Sequence, residues 1–242
     1  MIEVADETIA KIVTKDIRKA EAFRKLGLDF CCGGKKTVRQ AAMESGIPIE
    51  TIEQALQEVE FRCDINPPAF DKWGPGFLAD YIYNQHHVYY YENKEELLFF
   101  ARKVAGRHGN ALPELKQLLE LVEKLFQELD LHFYKEEKIL FPYIKELTSS
   151  EKTGIPRQVV FGHLKDPVAM MEVEHEAAGD LLKEMRMLTN DYQTPDWACN
   201  SFRLLYYKLH ELEKDLHQHI HLENNILFPK ALDLYNKSTK LG

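Results

Sequence analysis

The sequence predicts an all-α protein with two parts, a small N-terminal helical domain and an antiparallel four-helix bundle. Helical signals dominate the whole chain, and no run of alternating β-branched residues bounded by turn residues predicts a strand. A stretch rich in proline and glycine, CDINPPAFDKWGPG, separates the two parts, because a helix cannot continue through it. We therefore predict a helical domain over residues 1–63, a linker over 64–76 and the bundle over 77–236.

The N-terminal domain carries helix signals on both sides of a cysteine-containing loop. Asp16 is placed to cap a helix that ends at Gly27. Two further helices are predicted over 37–44 and 49–61, and Gly46 and Pro48 separate them. The loop between the two halves contains four consecutive residues of interest, Cys31, Cys32, Gly33 and Gly34.

The bundle is predicted from four longer helical stretches, which we place at 77–105, 113–147, 167–189 and 195–235. The dipeptides Asp166-Pro167 and Thr194-Pro195 each put a capping side chain before a proline, which suits the first position of a helix. Glycines at 106 and 109 separate the first two stretches.

Composition disfavours several classes of protein. The net charge of -8 disfavours binding to nucleic acid or to anionic membrane, and no apolar run is long enough to span a bilayer. The first residues have no signal-peptide pattern. Four cysteines, two of them adjacent, do not resemble a secreted disulfide framework. We expect a cytoplasmic protein with no nucleic-acid or membrane partner.

An internal repeat predicts the functional site. The segment HFYKEEKILFP from His132 and the segment HIHLENNILFP from His219 are identical at six of eleven positions, at a constant offset of 87. Leucines or valine precede both histidines at helical spacing: Leu118, Val122, Leu125 and Leu129 in the first copy, and Leu205, Leu209, Leu212 and Leu216 in the second. The histidines and the glutamates four residues later, Glu136 and Glu223, therefore face the core.

Buried imidazoles and carboxylates need a common partner, and a metal ion would be one. A His and a Glu one helical turn apart can both reach the same ion. Subtracting 87 from His175 gives position 88, beside His87, so these two histidines are the expected ligands from the other two helices. From the residues alone His86 remains an alternative to His87. We interpret the other histidines as solvated: His108, His163, His210, His217 and His221.

Four imidazoles and two carboxylates suit iron, and they leave manganese or zinc open. Because carboxylates bridge metal ions, six ligands favour a dinuclear centre.

The chain resembles a known family in five segments: FRKLGLDFCCGGKKTVRQAA, NQHHVYY, HFYKEEKILFP, EVEHEAAGDLL and HIHLENNILFP. The bundle is similar to the hemerythrin-like domain, and its combination with the CCGG segment is similar to the RIC family, di-iron proteins for the repair of iron–sulfur centres. The resemblance implies a non-haem di-iron centre, two iron ions bridged by oxo and carboxylate groups. It selects His87, and the implied ligands are His87, His132, Glu136, His175, His219 and Glu223.

The same resemblance implies a stress-response protein whose partners are iron–sulfur proteins damaged by nitric oxide or peroxide. It also implies a functional role for Cys31 and Cys32. From the residues alone that role is no more favoured than an incidental one, because adjacent cysteines form a strained disulfide and cannot alone provide a tetrahedral zinc site. No role is assigned to Cys63 or Cys199.

Two other functions remain open at this point. A histidine-rich di-iron site can bind or reduce nitric oxide or oxygen, so the protein is alternatively an enzyme of that kind. It is also a candidate sensor of diatomic gases, since TVRQAAMESGIPIETIEQALQEV has a helix, a turn and a second helix, although its balanced charges disfavour DNA binding. We name a homodimer as the assembly to test for.

Overall fold

The computed structural model describes residues 4–62, 68–153 and 163–239. Within those ranges the chain is helical, and the extended pairing it contains is an isolated bridge between Thr8 and Thr37. The predicted all-α class is confirmed. Cys63, Pro67 and the start of the predicted linker lie outside the described residues. None of the helices in the described ranges is long and apolar enough to cross a membrane.

The N-terminal helices are short. In chain order they are α1 (Ile9–Lys15), a 3-10 turn (Ile17–Lys19), α2 (Ala20–Lys25), α3 (Val38–Ser45) and α4 (Ile49–Arg62). A second 3-10 turn, Phe70–Lys72, follows.

Residues 75–239 contain the other helices of the described ranges, with three π-helical segments among them. They are α5 (Pro75–Ile82), π (Tyr83–His87), α6 (Val88–His108), α7 (Glu114–Lys135), π (Glu136–Leu140), α8 (Phe141–Thr153), α9 (Lys165–Leu188), α10 (Asn200–Leu222), π (Glu223–Leu227) and α11 (Phe228–Thr239).

Two compact units are present. In the described part of the chain the first unit comprises 4–62, 68–78, 146–153 and 217–239, and the second comprises 79–145 and 163–216. We call them the first unit and the bundle unit.

The bundle unit has a core drawn from all four long helices. The leucines and valine that precede both histidines of the repeat are buried in it, as the helical spacing predicted. Each side chain of that size stabilises the fold by about 1.5–3 kcal/mol when fully buried. The core therefore fixes the rotation of α7, and with it the direction in which the residues after its leucines point.

The first unit has a separate core made of the N-terminal helices and one residue of α10, Ile220. Its caps follow the sequence signals. The Asp16 side chain accepts from the backbone N–H of Arg18, and Thr37 forms a capping box with Gln40 at the start of α3. Gly46 ends α3 in the left-handed conformation.

The fourth long helix begins later than predicted. Thr194-Pro195 was expected at its start, but α10 begins at Asn200. A turn at Asp196 and Trp197 precedes the helix. The side chain of Arg203, in the first turn of α10, donates to the carbonyls of Asp196 and Ala198. Those carbonyls are therefore bound by a side chain instead of by helical N–H groups.

Candidate metal centre and thiol loop

The three π segments all contain a predicted ligand. His87 ends the first segment, Glu136 begins the second and Glu223 begins the third. A π turn widens the helix by one residue and is frequent at functional sites. The side chains around each turn therefore point in directions that a regular α-helix would not give.

Four predicted ligands lie together in the bundle unit. Oε2 of Glu136 is 3.4 Å from Nε2 of His87, and Oε1 is 3.3 Å from Nε2 of His132. Nε2 of His175 is 3.0 Å from Nε2 of His132. All four side chains are buried. One ligand atom from each of His132, Glu136 and His175 lies within 4.8 Å of the others.

The donor set of this cluster fits a metal cation. Imidazole nitrogens and carboxylate oxygens are the ligands that transition metals such as iron, manganese and zinc accept. Each oxygen of Glu136 faces a different imidazole, so this one carboxylate can serve two ligand positions. A buried carboxylate among imidazoles is costly without a cation to neutralise it.

The second His/Glu pair lies in the first unit. Nε2 of His219 is 3.0 Å from Oε2 of Glu223, and both side chains are buried. This reproduces the arrangement of His132 and Glu136, in which a π segment also begins at the glutamate. The two copies of the repeat therefore share a local structure as well as a sequence pattern.

Two further carboxylates, which the sequence analysis missed, support the imidazoles. Nδ1 of His87 is 3.0 Å from Oε1 of Glu137, which also accepts from the Tyr91 hydroxyl at 2.9 Å. The hydrogen bond with His87 lowers the pKa of Glu137, and Tyr91 adds to this effect. An ionised Glu137 accepts a hydrogen bond from the Nδ1–H of His87 and leaves Nε2 of that ring available to a metal.

The same arrangement recurs at His132. Its Nδ1 is 2.8 Å from Oε2 of Glu174, and Lys135 forms an ion pair with the other oxygen of that carboxylate. The hydrogen bond with His132 lowers the pKa of Glu174. The sequence indicates these two carboxylates only by their position beside predicted ligands. Glu137 follows Glu136, and Glu174 precedes His175.

We expect Glu174→Gln to weaken metal binding by about 10–100-fold, because the amide presents either a neutral acceptor or a competing donor to Nδ1 of His132. The measurement is a metal titration of the purified variant. Glu172→Gln, on the same helix and outside this hydrogen bond, is the matched control. If Glu174→Gln binds metal as tightly as the unsubstituted protein does, Glu174 has no supporting role at His132.

The remaining histidines differ in their surroundings. His86 is buried, and its Nδ1 lies 2.9 Å from Oδ1 of Asp215. His163 is exposed, as expected. His108 is half-buried against Trp197, and His210 is half-buried against Tyr192. Both are therefore less exposed to solvent than predicted.

The prediction that His217 and His221 are solvated is wrong for a clear physical reason, since both pack against Phe30. The ring centroids lie 5.8 Å and 6.0 Å from that of Phe30. His221 is fully buried, and its Nδ1 lies 3.4 Å from the Phe30 carbonyl. Burial lowers the pKa of His221 to about 4, so it is neutral near pH 7. The N-terminal loop that contains Phe30 covers the helix face on which these two histidines lie.

That loop is organised by Asp29. Its carboxylate accepts from the backbone N–H groups of Cys31, Cys32 and Gly33 at 2.9, 3.0 and 2.8 Å. The Asn225 side chain donates to the Cys31 carbonyl at 3.1 Å, and so joins the loop to the π segment that begins at Glu223. The first unit thus contains both the cysteines and the second His/Glu pair.

The glycine at position 34 is required by close packing. A Cβ there would lie 2.6 Å from the Phe30 carbonyl oxygen and 3.0 Å from Cβ of Ala10. We expect Gly34→Ala to destabilise the protein by about 1–3 kcal/mol, the usual cost of overpacking. Chemical denaturation measures it. Gly106→Ala, where a Cβ meets nothing within 4 Å, is the control and should not lower stability.

The fold and the site define a helical-bundle protein with a metal-binding cluster of histidines and glutamates. A family model described as "Hemerythrin HHE cation binding domain" matches residues 87–231. A second, described as "Domain of Unknown function (DUF542)", matches residues 5–60.

Relatives similar over most of the chain narrow the class further. The chain is 35% identical over 218 residues to the "Iron-sulfur cluster repair protein YtfE" of Yersinia pseudotuberculosis serotype O:1b (strain IP 31758). The matched region covers 89% of this chain and 91% of that relative. The same figures hold for the protein of that name from Yersinia pestis (strain Pestoides F). The chain belongs to the hemerythrin-like family of iron–sulfur cluster repair proteins.

Proposed function

We propose that this protein restores iron–sulfur clusters damaged by oxidative or nitrosative stress, and that it does so by donating iron from a di-iron centre. The observation that carries the proposal is the position of Glu136, whose two oxygens face His87 and His132 separately. A carboxylate with an imidazole at each oxygen suits two metal ions better than one.

The proposed ligand set has six members. His87, His132, Glu136 and His175 come from the cluster in the bundle unit, and His219 and Glu223 are added from the second copy of the repeat. Two observations support this addition. The two His/Glu pairs have the same local structure, and the hemerythrin family match runs through both copies. The centre would supply ferrous iron and one-electron chemistry.

The residues of the chain contribute orientation and charge. Glu137 and Glu174 hold the Nδ1 protons of His87 and His132, so that Nε2 of each ring is unprotonated toward the cluster. From the preferences of ferrous iron for hard and soft ligands, we infer that a set dominated by imidazole, with two carboxylates, holds this ion less tightly than a thiolate cage would. Each imidazole must be unprotonated to bind metal, so mild acid should loosen the site further. Such a set suits iron as cargo.

The metal assignment is tested by metal analysis and Mössbauer spectroscopy of the purified protein. Two coupled irons per chain are expected. One iron per chain, or zinc at full occupancy after growth with sufficient iron, would overturn the di-iron proposal.

Iron donation is tested with labelled iron. The loaded protein is mixed with an iron–sulfur enzyme whose cluster has been destroyed by nitric oxide, and the label is followed in both proteins. We expect labelled iron to leave this protein and to appear in the damaged enzyme, which we call the client. The amount transferred should be proportional to the enzyme activity restored. Full repair with all label retained by this protein would overturn donation.

Retention of the label would instead favour an enzyme that binds or reduces diatomic gases. One observation supports this second candidate. The rings of Phe133 and Phe141 stack on His87, with centroids 4.2 Å and 5.5 Å away, and give the ligand an apolar flank that a small diatomic molecule tolerates. Multiple turnovers of nitric oxide with an electron donor would establish it.

We further propose that the cysteine loop serves the client and not the metal. Replacing both cysteines, Cys31→Ser with Cys32→Ser, is expected to leave the iron content unchanged and to abolish repair. Equal repair by this double variant would remove the thiols from the mechanism. We place the protein in the cytoplasm, where thiols stay reduced and damaged iron–sulfur proteins are its partners.

A further inference from the structure

The two adjacent cysteines have different surroundings. Cys31 is buried, at 4% exposure, whereas Cys32 is half-buried. We propose that Cys32 alone is the reacting thiol of the pair, and that Asp29 holds Cys31 as a protonated, positioning thiol. The loop then presents one nucleophile and does not act as a dithiol/disulfide couple.

Cys31 is held as a donor. Its Sγ donates to Oδ1 of Asp29 at 3.2 Å, and it lies 4.0 Å from Sγ of Cys32. The hydrogen bond with Cys32, followed by burial and the charge of Asp29, raises the pKa of Cys31. The thiolate is the nucleophilic form, so Cys31 reacts slowly near neutral pH.

Cys32 is arranged as an acceptor. The side-chain amide of Asn224 directs a hydrogen toward its Sγ at 4.0 Å, and Sγ of Cys31 also lies 4.0 Å from it. Asn224 is itself buried and directly follows Glu223. The partial exposure of Cys32 leaves a path for a reactant.

The backbone opposes a bond between the two sulfurs. A disulfide would bring them from 4.0 Å to about 2 Å. A ring closed by a disulfide between neighbouring residues is strained, and the strain falls on the peptide that joins them. That peptide is held by Asp29 through the N–H of Cys32, and by Asn225 through the Cys31 carbonyl. The loop geometry therefore favours thiol chemistry at one sulfur without internal disulfide formation.

The consequence is a defined stoichiometry with an aromatic disulfide such as 5,5′-dithiobis(2-nitrobenzoate). The Cys32 thiolate attacks one sulfur of the reagent, a mixed disulfide forms, and one thionitrobenzoate leaves as the anion. A dithiol couple would continue, because the second thiol would displace the bound aromatic thiolate and release a second equivalent. The two cases differ in the number of thionitrobenzoate equivalents released and in the disulfide that remains, mixed in the first case and internal in the second.

The experiment uses the full chain with Cys63→Ser and Cys199→Ser, purified with its metal, so that only the adjacent pair can react. We expect one equivalent of thionitrobenzoate in the fast phase and a persistent mixed disulfide at Cys32 by mass spectrometry. Iodoacetamide should label Cys32 at least about tenfold faster than Cys31. Two equivalents with an internal disulfide, or equal labelling of both cysteines, would overturn the proposal.

Single variants in the same background assign the sulfurs. Cys32→Ser should lose the fast equivalent, and Cys31→Ser should keep it, since a serine hydroxyl can still donate to Asp29. Asp29→Ala should speed labelling of Cys31 by removing its acceptor. Unchanged labelling of Cys31 in that variant would remove Asp29 from the role, and circular dichroism verifies that each variant is folded.

The repair assay extends the inference and rests on the proposed function. Cys31→Ser should retain repair, and Cys32→Ser should lose it. The thiol count needs no client and no damaged cluster, so its failure is distinguishable from failure of the repair proposal. Repair that is lost equally in both single variants, with one fast equivalent intact in Cys31→Ser, would show that both sulfurs serve the client.

Discussion

Replacing His87 with alanine is expected to remove most of the bound metal, whereas replacing its neighbour His86 is expected to leave the metal in place. His87 faces Glu136 through Nε2 at 3.4 Å and is fully buried. Loss of a ligand should exceed the roughly 10–100-fold weakening that loss of a hydrogen-bond partner to a ligand causes. His86 instead bonds to Asp215 and lies edge-on to Tyr81.

The two variants form a matched pair, because both delete a buried imidazole from the same π segment. Each is expected to cost some stability, and only His87→Ala should change metal affinity. Metal analysis of the purified proteins, a titration of each metal-free form and circular dichroism are the measurements. Retained metal in His87→Ala, or equal loss in both variants, would refute the ligand choice.

Much of the fold and the cluster could be predicted, because both depend on helical periodicity. The apolar series from Leu118 and from Leu205 places each His and Glu on the buried side of its helix, and the structure has the series in the bundle core. The repeat contains this information twice. Its limit is visible at Ile139 and Ile226, which are equivalent in sequence although the first is exposed and the second is buried.

The rest depended on partners distant in the chain. Periodicity assigned His221 to a solvated face because nothing near it in sequence indicates Phe30, which lies 191 residues away. The π segments were also missed, since a rule based on 3.6 residues per turn contains no signal for one wider turn. The roles of Glu137 and Glu174 could not be predicted for the same reason. Their role appears only when the imidazoles they support are in place.

Replacing Phe133 with alanine should combine a large loss of stability with weaker metal binding. Phe133 is fully buried in the bundle core, and its ring stacks on His87 with a centroid distance of 4.2 Å and an interplanar angle of 18°. It also meets the edge of Tyr90 at 5.0 Å. The substitution leaves a cavity between the core and the ligand, which costs about 3–5 kcal/mol by chemical denaturation.

Phe202→Ala is the control that separates the two effects. Phe202 is equally buried in the same core, but its ring contacts include Tyr206 and Trp197, not the proposed ligands. Both variants should lose similar stability as metal-free proteins. The added stability on metal binding, which follows the ratio of metal concentration to dissociation constant, should then differ. Phe202→Ala should retain it, whereas Phe133→Ala should lose part of it because His87 is no longer held against a ring. An equal metal-dependent gain in both would mean that the stacked ring supports the fold alone, and that Glu137 is sufficient to orient His87.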